Sequence, residues 1–210
     1  MKKLLIITGP QGSGNHLWSK VFAATEGVYG WQELLDTYWI AHDQEPFAKA
    51  WHDPITLPDI KFDNYAVTSI SCPYSYCGTT VVPDYKAFVN RAKGLGYDVK
   101  IAIIGRDQNI LQYQQTRVRG APSTDQFRHW LPWLSLQNPV FLSTELLYLY
   151  GMDYLYTLRH QLNFPVYIES DQLAKILVQD TNAKYFRPAE EQPLDAYVRT
   201  VSGLNNTKAE

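Results

Sequence analysis

Two cysteines, Cys72 and Cys77, are all the thiol chemistry in 210 residues. They are too few for a disulfide framework or a four-ligand zinc site, so both read as reduced thiols. No His/Cys spacing typical of a metal centre occurs elsewhere, and no metal is expected. Long apolar runs are missing as well. Nothing approaches the roughly 18 residues a membrane-spanning helix needs, so no membrane partner is expected. Met1-Lys2-Lys3 ahead of an apolar stretch has the outline of a signal peptide. That stretch, Leu4 to Thr8, is too short for an h-region and reads instead as a buried first strand. Charge of one sign is lacking too: 19 Lys and Arg face 21 Asp and Glu, a net of −2. A chain built to grip duplex DNA would be basic, so duplex nucleic acid is not expected as a partner, although a local basic pocket is allowed. These absences predict a cytoplasmic protein, in which the acceptor pattern Asn205-Asn206-Thr207 is idle.

What is abundant is apolar and aromatic. Hydrophobic residues make up 45% and charged residues 19%, which excludes a disordered chain. Six Trp, 15 Tyr and 8 Phe demand many buried or groove-lining rings. The length fits one domain, read as 1–204 with a tail at 205–210. Within it, residues 31–62 read as a lid insertion: a helix near 31–42, then a loop punctuated by Pro46, Pro54 and Pro58.

Short apolar runs alternate with longer amphipathic stretches, the pattern of an α/β domain with a mainly parallel sheet. Strands are expected at Leu4–Thr8, Tyr65–Ser71, Val99–Ile104 and Pro165–Glu169. Helices are expected from about His16 to Ala24, Asp84 to Leu95, Asp107 to Arg117, Ser123 to Trp133, Thr144 to Leu162 and Asp171 to Val178. Ser123-x-x-Gln126 reads as a capping box, and Ser170 as the cap of the last helix.

The strongest local signal is Gly9-Pro-Gln-Gly-Ser-Gly-Asn-His16 between the first strand and the first helix. Such a turn aims backbone N–H groups and a helix dipole at one spot, which suits a phosphate or sulfate. Glycines at 12 and 14 let the backbone come close, and Ser13 adds a hydroxyl donor. The spacing from Gly9 to Gly14 is that of a P-loop, but Asn15 stands in place of the lysine and His16 in place of the magnesium-binding hydroxyl. Imidazole is a poor magnesium ligand, so ordinary Mg-ATP hydrolysis is disfavoured. Lys20, one turn on, reads as a solvated helix lysine.

A second anchor is Arg106, which follows the apolar strand Val99–Ile104 at its carboxyl end, where open α/β sheets collect ligands. A guanidinium there can fork onto a phosphate; the alternative is a salt bridge to Asp107 or a nearby acid. Gln114, Arg117 and Arg119 on the next helix either extend an anion pocket or face water.

This order of features resembles the sulfotransferase family of P-loop-like proteins. In that family a loop with Ser-Gly cradles the 5′-phosphosulfate, matched here by Gly12, Ser13, Gly14, Asn15 and His16. A strand ending in Arg-Asp is matched by Arg106-Asp107, with Gln114 where a serine would help hold the 3′-phosphate. A later strand-to-helix segment of the type Tyr-Glu-x-Leu is compared with Tyr167–Leu173. The resemblance implies a three-layer P-loop-type fold with a mainly parallel central sheet. It also implies sulfuryl transfer from 3′-phosphoadenosine-5′-phosphosulfate to a hydroxyl or amine on a small-molecule or glycan acceptor. The departures are specific. Gly12 replaces a basic residue before Ser-Gly, and no histidine stands near Ser71-Cys72-Pro73, where the family's general base often falls. The family's C-terminal Gly-rich phosphate loop is absent, and Arg187 alone does not replace it. A nucleotide or nucleoside kinase relative and a catalytically silent binding protein stay open as alternatives.

His16 is the candidate catalytic residue, as a cation beside a leaving phosphate or as a neutral base toward an acceptor; its structural alternative is capping or packing. The neighbours His42-Asp43 and His52-Asp53 are weaker dyad candidates. Trp31, Tyr38, Trp39 and Trp51 either stack on an acceptor or pack onto the core.

Overall fold

The computed structural model describes residues 1–37, 39–119 and 123–178, with backbone alone at 117–119. Strand β1 (Lys3–Pro10) runs into helix α1 (Asn15–Ala23), then the two-residue strand β2 (Val28–Tyr29). Helix α2 (Ala48–His52) precedes β3 (Tyr65–Cys72), the hairpin β4 (Tyr74–Tyr76) and β5 (Thr79–Val81), and α3 (Tyr85–Gly94). Strand β6 (Asp98–Gly105) leads to α4 (Gln108–Arg119) and α5 (Thr124–Ser135). Strand β7 (Val140–Ser143), α6 (Thr144–Leu162) and α7 (Asp171–Val178) follow.

The sheet has the order β2-β3-β1-β6-β7, and every pairing in it is parallel. Parallel strands need crossovers, and crossovers put helices on both faces. The strand pattern shows the consequence. Leu5 and Ile7 of β1, with Ala102 and Ile104 of β6, pack in one core with Trp18 and Phe22 of α1, Leu155 of α6 and Leu173 of α7. The alternate residues Leu4, Ile6, Ile101 and Ile103 pack in a second core with Trp51 of α2, Phe88 of α3 and Phe127 of α5. The result is a three-layer α/β architecture with a mainly parallel central sheet, as expected. Fully burying such a side chain is worth about 1.5–3 kcal/mol, so the two cores outweigh any single turn or cap.

Three local expectations fail, the first to a local side-chain bond and the other two to contacts between distant segments. No helix spans 31–42; short 3-10 turns form at Gln32–Leu34 and His42–Gln44 instead. The Gln32 side chain donates to the Val28 carbonyl and accepts from Gly30 N–H, holding the chain in a turn. No strand forms at Pro165–Glu169, because β7 takes the place beside β6. Phe164 and Val166 are buried anyway, and Tyr167 N–H donates to Thr25 Oγ1 rather than to a strand. The Ser123 capping box is not made: its hydroxyl points 3.3 Å to Gln11 Oε1. Ser170 does cap α7, accepting from Leu173 N–H at 3.4 Å. The tail at 205–210 lies outside the described residues.

Residues 31–62 are not a uniform cover. Trp31, Phe47, Trp51 and Leu57 are core residues. Trp51 stacks on Phe88 at 3.8 Å and donates to Thr68 Oγ1. Trp39 is 61% exposed, and Tyr38 lies outside the described residues.

Candidate functional site

β1 is the switch point of the sheet, because its neighbours β3 and β6 are reached by connections on opposite sides. A crevice therefore opens at the strands' carboxyl ends, and the Gly-rich loop sits in it. Gly12 and Gly14 have φ of +85° and +111°, values that side chains rarely tolerate. Gly14 is the N-cap of α1, and no side chain caps that end. The first N–H groups of α1 thus have no intrahelical acceptor and point at the loop.

The sequence-predicted residues converge here. Arg106 Nη1 donates to the Gly12 carbonyl and, at 3.1 Å, to Gln114 Oε1. Gln114 lies against Gly12 so closely that a Cβ there would stand 3.0 Å from its amide. Arg106 is thus directed to the loop. Asp107 caps α4 instead, accepting from Asn109 and Ile110 N–H at 2.9 and 3.0 Å. The side chains of Arg117 and Arg119 and the whole of Arg187 lie outside the described residues.

Asn15 is buried and donates from Nδ2 to Ser71 Oγ at 2.8 Å. Ser71 is the penultimate residue of β3, and its Oγ lies 3.2 Å from His42 Nε2. A histidine thus stands beside Ser71 in space, brought there by the 42–44 turn. No local sequence pattern could announce this, since 29 residues separate the two. His16 lies alongside, with its ring 5.3 Å from His42, 5.4 Å from Trp31 and 6.1 Å from Trp39. The weaker dyad at His52 does not reach the site: His52 stacks on Tyr76, and Asp53 accepts from Ile55 N–H.

His16 Nε2 is 2.7 Å from the Ile40 carbonyl. A carbonyl only accepts, so Nε2 carries the proton and the neutral ring keeps its lone pair at Nδ1. Burial pushes its pKa below the ordinary 6.5; the Ile40 carbonyl opposes this and the charge of Lys20 adds to it. The lowered pKa favours the neutral imidazole, the form that can act as a base. Lys20 corrects an expectation. It is only 6% exposed, and Nζ donates to the Thr37 carbonyl at 2.6 Å.

Other participants were invisible in the sequence. Gln115 is fully buried; its Nε2 donates to the Gln11 carbonyl, and its Oε1 accepts from Ser123 N–H and Thr124 Oγ1. Ser13 Oγ and Thr144 Oγ1 are buried hydroxyls without a hydrogen-bond partner. The segment compared at Tyr167–Leu173 enters α7 from an irregular stretch rather than from a strand, whereas β7 runs directly into α6 at Thr144.

Glu45 anchors the His42 turn to the sheet. Burial raises its carboxyl to about 8, against donors from Thr68 and the Phe47 and Ser69 N–H groups. A raised folded-state pKa makes the folded form bind the extra proton. Stability is thus fully present below the ordinary 4.5 and is lost as pH rises toward 8. The slope is at most about 1.4 kcal/mol per pH unit. Glu45→Gln is expected to flatten that decline in urea unfolding midpoints; a wild-type decline identical to the variant's would remove Glu45 as its cause.

Among the described residues no cluster of three metal-ligating side chains occurs, and no helix is long and apolar enough to cross a membrane. Cys72 and Cys77 are free thiols. A groove of about 880 Å³ lined by Lys2, Tyr29, Lys61 and Phe62 lies at the strands' amino ends, remote from this chemistry.

No family model and no curated protein matches the chain. Among solved structures it is similar to a mouse sulfotransferase, SULT7A1, complexed with PAP. The identity is 16% and the TM-score 0.49, with 84% of this chain and 63% of that one covered. The chain thus spans less than two thirds of that protein's length.

Proposed function

We propose that this protein transfers a sulfuryl group from 3′-phosphoadenosine-5′-phosphosulfate to a hydroxyl or amine acceptor. The observation that carries the reading is one crevice holding an uncapped helix N-terminus, two unpartnered buried hydroxyls and a guanidinium. Such donors fit an oxyanion group and leave buried polar atoms unsatisfied without one. When bound, the nucleotide supplies the sulfuryl group and a bisphosphate leaving group. Gly12 to His16 would hold its 5′ end, and Arg106 with Gln114 its 3′-phosphate.

Group transfer of this kind depends on positioned donors more than on covalent chemistry. His16 takes the acceptor proton at Nδ1, held in register by its bond to Ile40. His42, Ser71 and Asn15 hold the adjoining wall. The exposed Trp39 ring beside His16 offers a face on which a small-molecule or glycan acceptor can lie.

Thermal-shift titration tests the reading. 3′-Phosphoadenosine-5′-phosphate is expected to raise the melting temperature with concentration more than ATP does. A magnesium-dependent response to ATP instead would indicate a kinase relative, and no response to either would leave a silent binding protein. Arg106→Ala is expected to remove about 10- to 100-fold of the preference for the 3′-phosphorylated nucleotide. Unchanged discrimination would refute the role given to Arg106.

A further inference from the structure

Ser71 stands at the carboxyl end of β3, on the edge where an open sheet collects ligands, and is only 6% exposed. Its Oγ has two polar neighbours. Asn15 Nδ2 donates to it at 2.8 Å, and His42 Nε2 lies 3.2 Å away. A buried hydroxyl uses its proton, and an amide N–H cannot accept it. The Ser71 proton therefore points at His42 Nε2, which accepts it as the tautomer protonated at Nδ1. This is the arrangement of a hydroxyl nucleophile and its base. Asn15 adds to it, because a donor on Oγ stabilises the charge that builds there as the proton leaves.

The sheet brings that hydroxyl to the Gly-rich loop. Ser71 pairs with Gly9 in the parallel register of β3 and β1, so the two positions share one face of the sheet. Ser13 Oγ stands 2.5 Å from where a Gly9 Cβ would be, and it has no hydrogen-bond partner. It therefore lies about one strand spacing, roughly 5 Å, from the Ser71 side chain. An oxyanion held by Ser13 and the first N–H groups of α1 has the Ser71 hydroxyl at its flank. Two imidazoles stand there as well. His42 is on Ser71, and His16 lies with its ring 5.3 Å from that of His42 and its Nε2 committed to Ile40. Direct transfer to an acceptor moves one proton and uses one base. Transfer by way of Ser71 moves two, one from Ser71 and one from the acceptor, and uses both rings.

We propose that Ser71 is a nucleophile and that group transfer passes through a covalent Ser71 intermediate, with His42 as the base of the first half. The proposal rests on the sulfuryl-transfer reading and deepens it by adding a step. In the first half Ser71 Oγ bonds to sulfur, the bond from sulfur to the bridging oxygen breaks, and its electron pair leaves with the bisphosphate. The Ser71 proton passes to His42 Nε2. In the second half the acceptor oxygen or nitrogen bonds to sulfur, and the bond from sulfur to Ser71 Oγ breaks. His42 returns its proton to Ser71 Oγ, and His16 Nδ1 takes the proton of the acceptor. Such an intermediate splits one displacement into two easier ones.

The test uses the full chain with 3′-phosphoadenosine-5′-phosphosulfate and no acceptor. Labelled bisphosphate is expected to exchange into the donor, and the intact mass of the quenched protein to rise by one sulfuryl group, mapped to Ser71. Ser71→Ala is expected to abolish both while keeping its affinity for 3′-phosphoadenosine-5′-phosphate, which a merely structural fault would not spare. His42→Gln is expected to slow the exchange by about 10²- to 10⁴-fold. Where the alanine variant fails to fold, wild-type exchange and the mapped adduct decide alone. Turnover with an acceptor but without exchange or adduct overturns the proposal. So does an adduct on another residue, or exchange undiminished in Ser71→Ala. Direct transfer found in this way leaves the proposed function standing. A protein that binds no bisphosphate and consumes no donor removes that function, and the Ser71 step with it.

Discussion

Replacing His16 by glutamine is expected to lower turnover by about 10²- to 10⁴-fold, the usual contribution of a positioned general base. Glutamine keeps a donor for the Ile40 carbonyl, so the loop and α1 should hold their places. Affinity for the bisphosphate is expected to change little, because its ligands on the loop are backbone groups and other side chains. The loss should therefore fall on kcat rather than on KM. The pH profile carries the same signature. Burial holds the imidazole below 6.5, so wild-type turnover should be flat from neutrality upward and fall in acid with a midpoint below that value. A glutamine variant with wild-type kcat, or a profile with no acid limb, would remove His16 from the chemistry.

The largest stability effect is expected at Gly30. Its φ is +110°, and a Cβ there would stand 2.2 Å from the Val67 carbonyl oxygen. That oxygen belongs to a central strand and cannot give way. Gly30→Ala thus combines a disfavoured backbone with overpacking, together more than about 3 kcal/mol. In a chain of this length the melting temperature should drop by roughly 10 °C. The next residue, Trp31, is also left-handed at φ 65° and is buried against His16. The same variant should consequently weaken the His16 wall before it weakens the loop. A melting temperature within a degree or two of wild type would show that the Gly30 approach to β3 is not needed.

The two sites illustrate what sequence patterns do and do not carry. The Gly-rich loop was legible because its whole mechanism is local: a strand, a turn that needs glycine, and a helix start follow one another in the chain. Arg106 was legible because an apolar strand ended on it. The partnership of His42 with Ser71 was not, because the two come from a 3-10 turn and a strand end that meet only after the sheet forms. Thr144 was not, because β7 is four residues long and gave no periodicity. Lys20 was misread as solvated for a related reason: its helix is amphipathic in sequence, but the 31–37 segment folds over the polar side.

Alternating apolar runs and amphipathic stretches therefore determined the layered α/β architecture, and glycine spacing determined the tight turn that joins β1 to α1. Those outcomes depend on backbone sterics and on hydrophobic periodicity, which act within a few residues. The tertiary structure decided the rest: which strand stands beside β6, which histidine reaches Ser71, which hydroxyls are left without partners, and that burial lowers the His16 pKa. Each depends on contacts between segments far apart in the chain, where burial and hydrogen-bond geometry, rather than local preference, set the result.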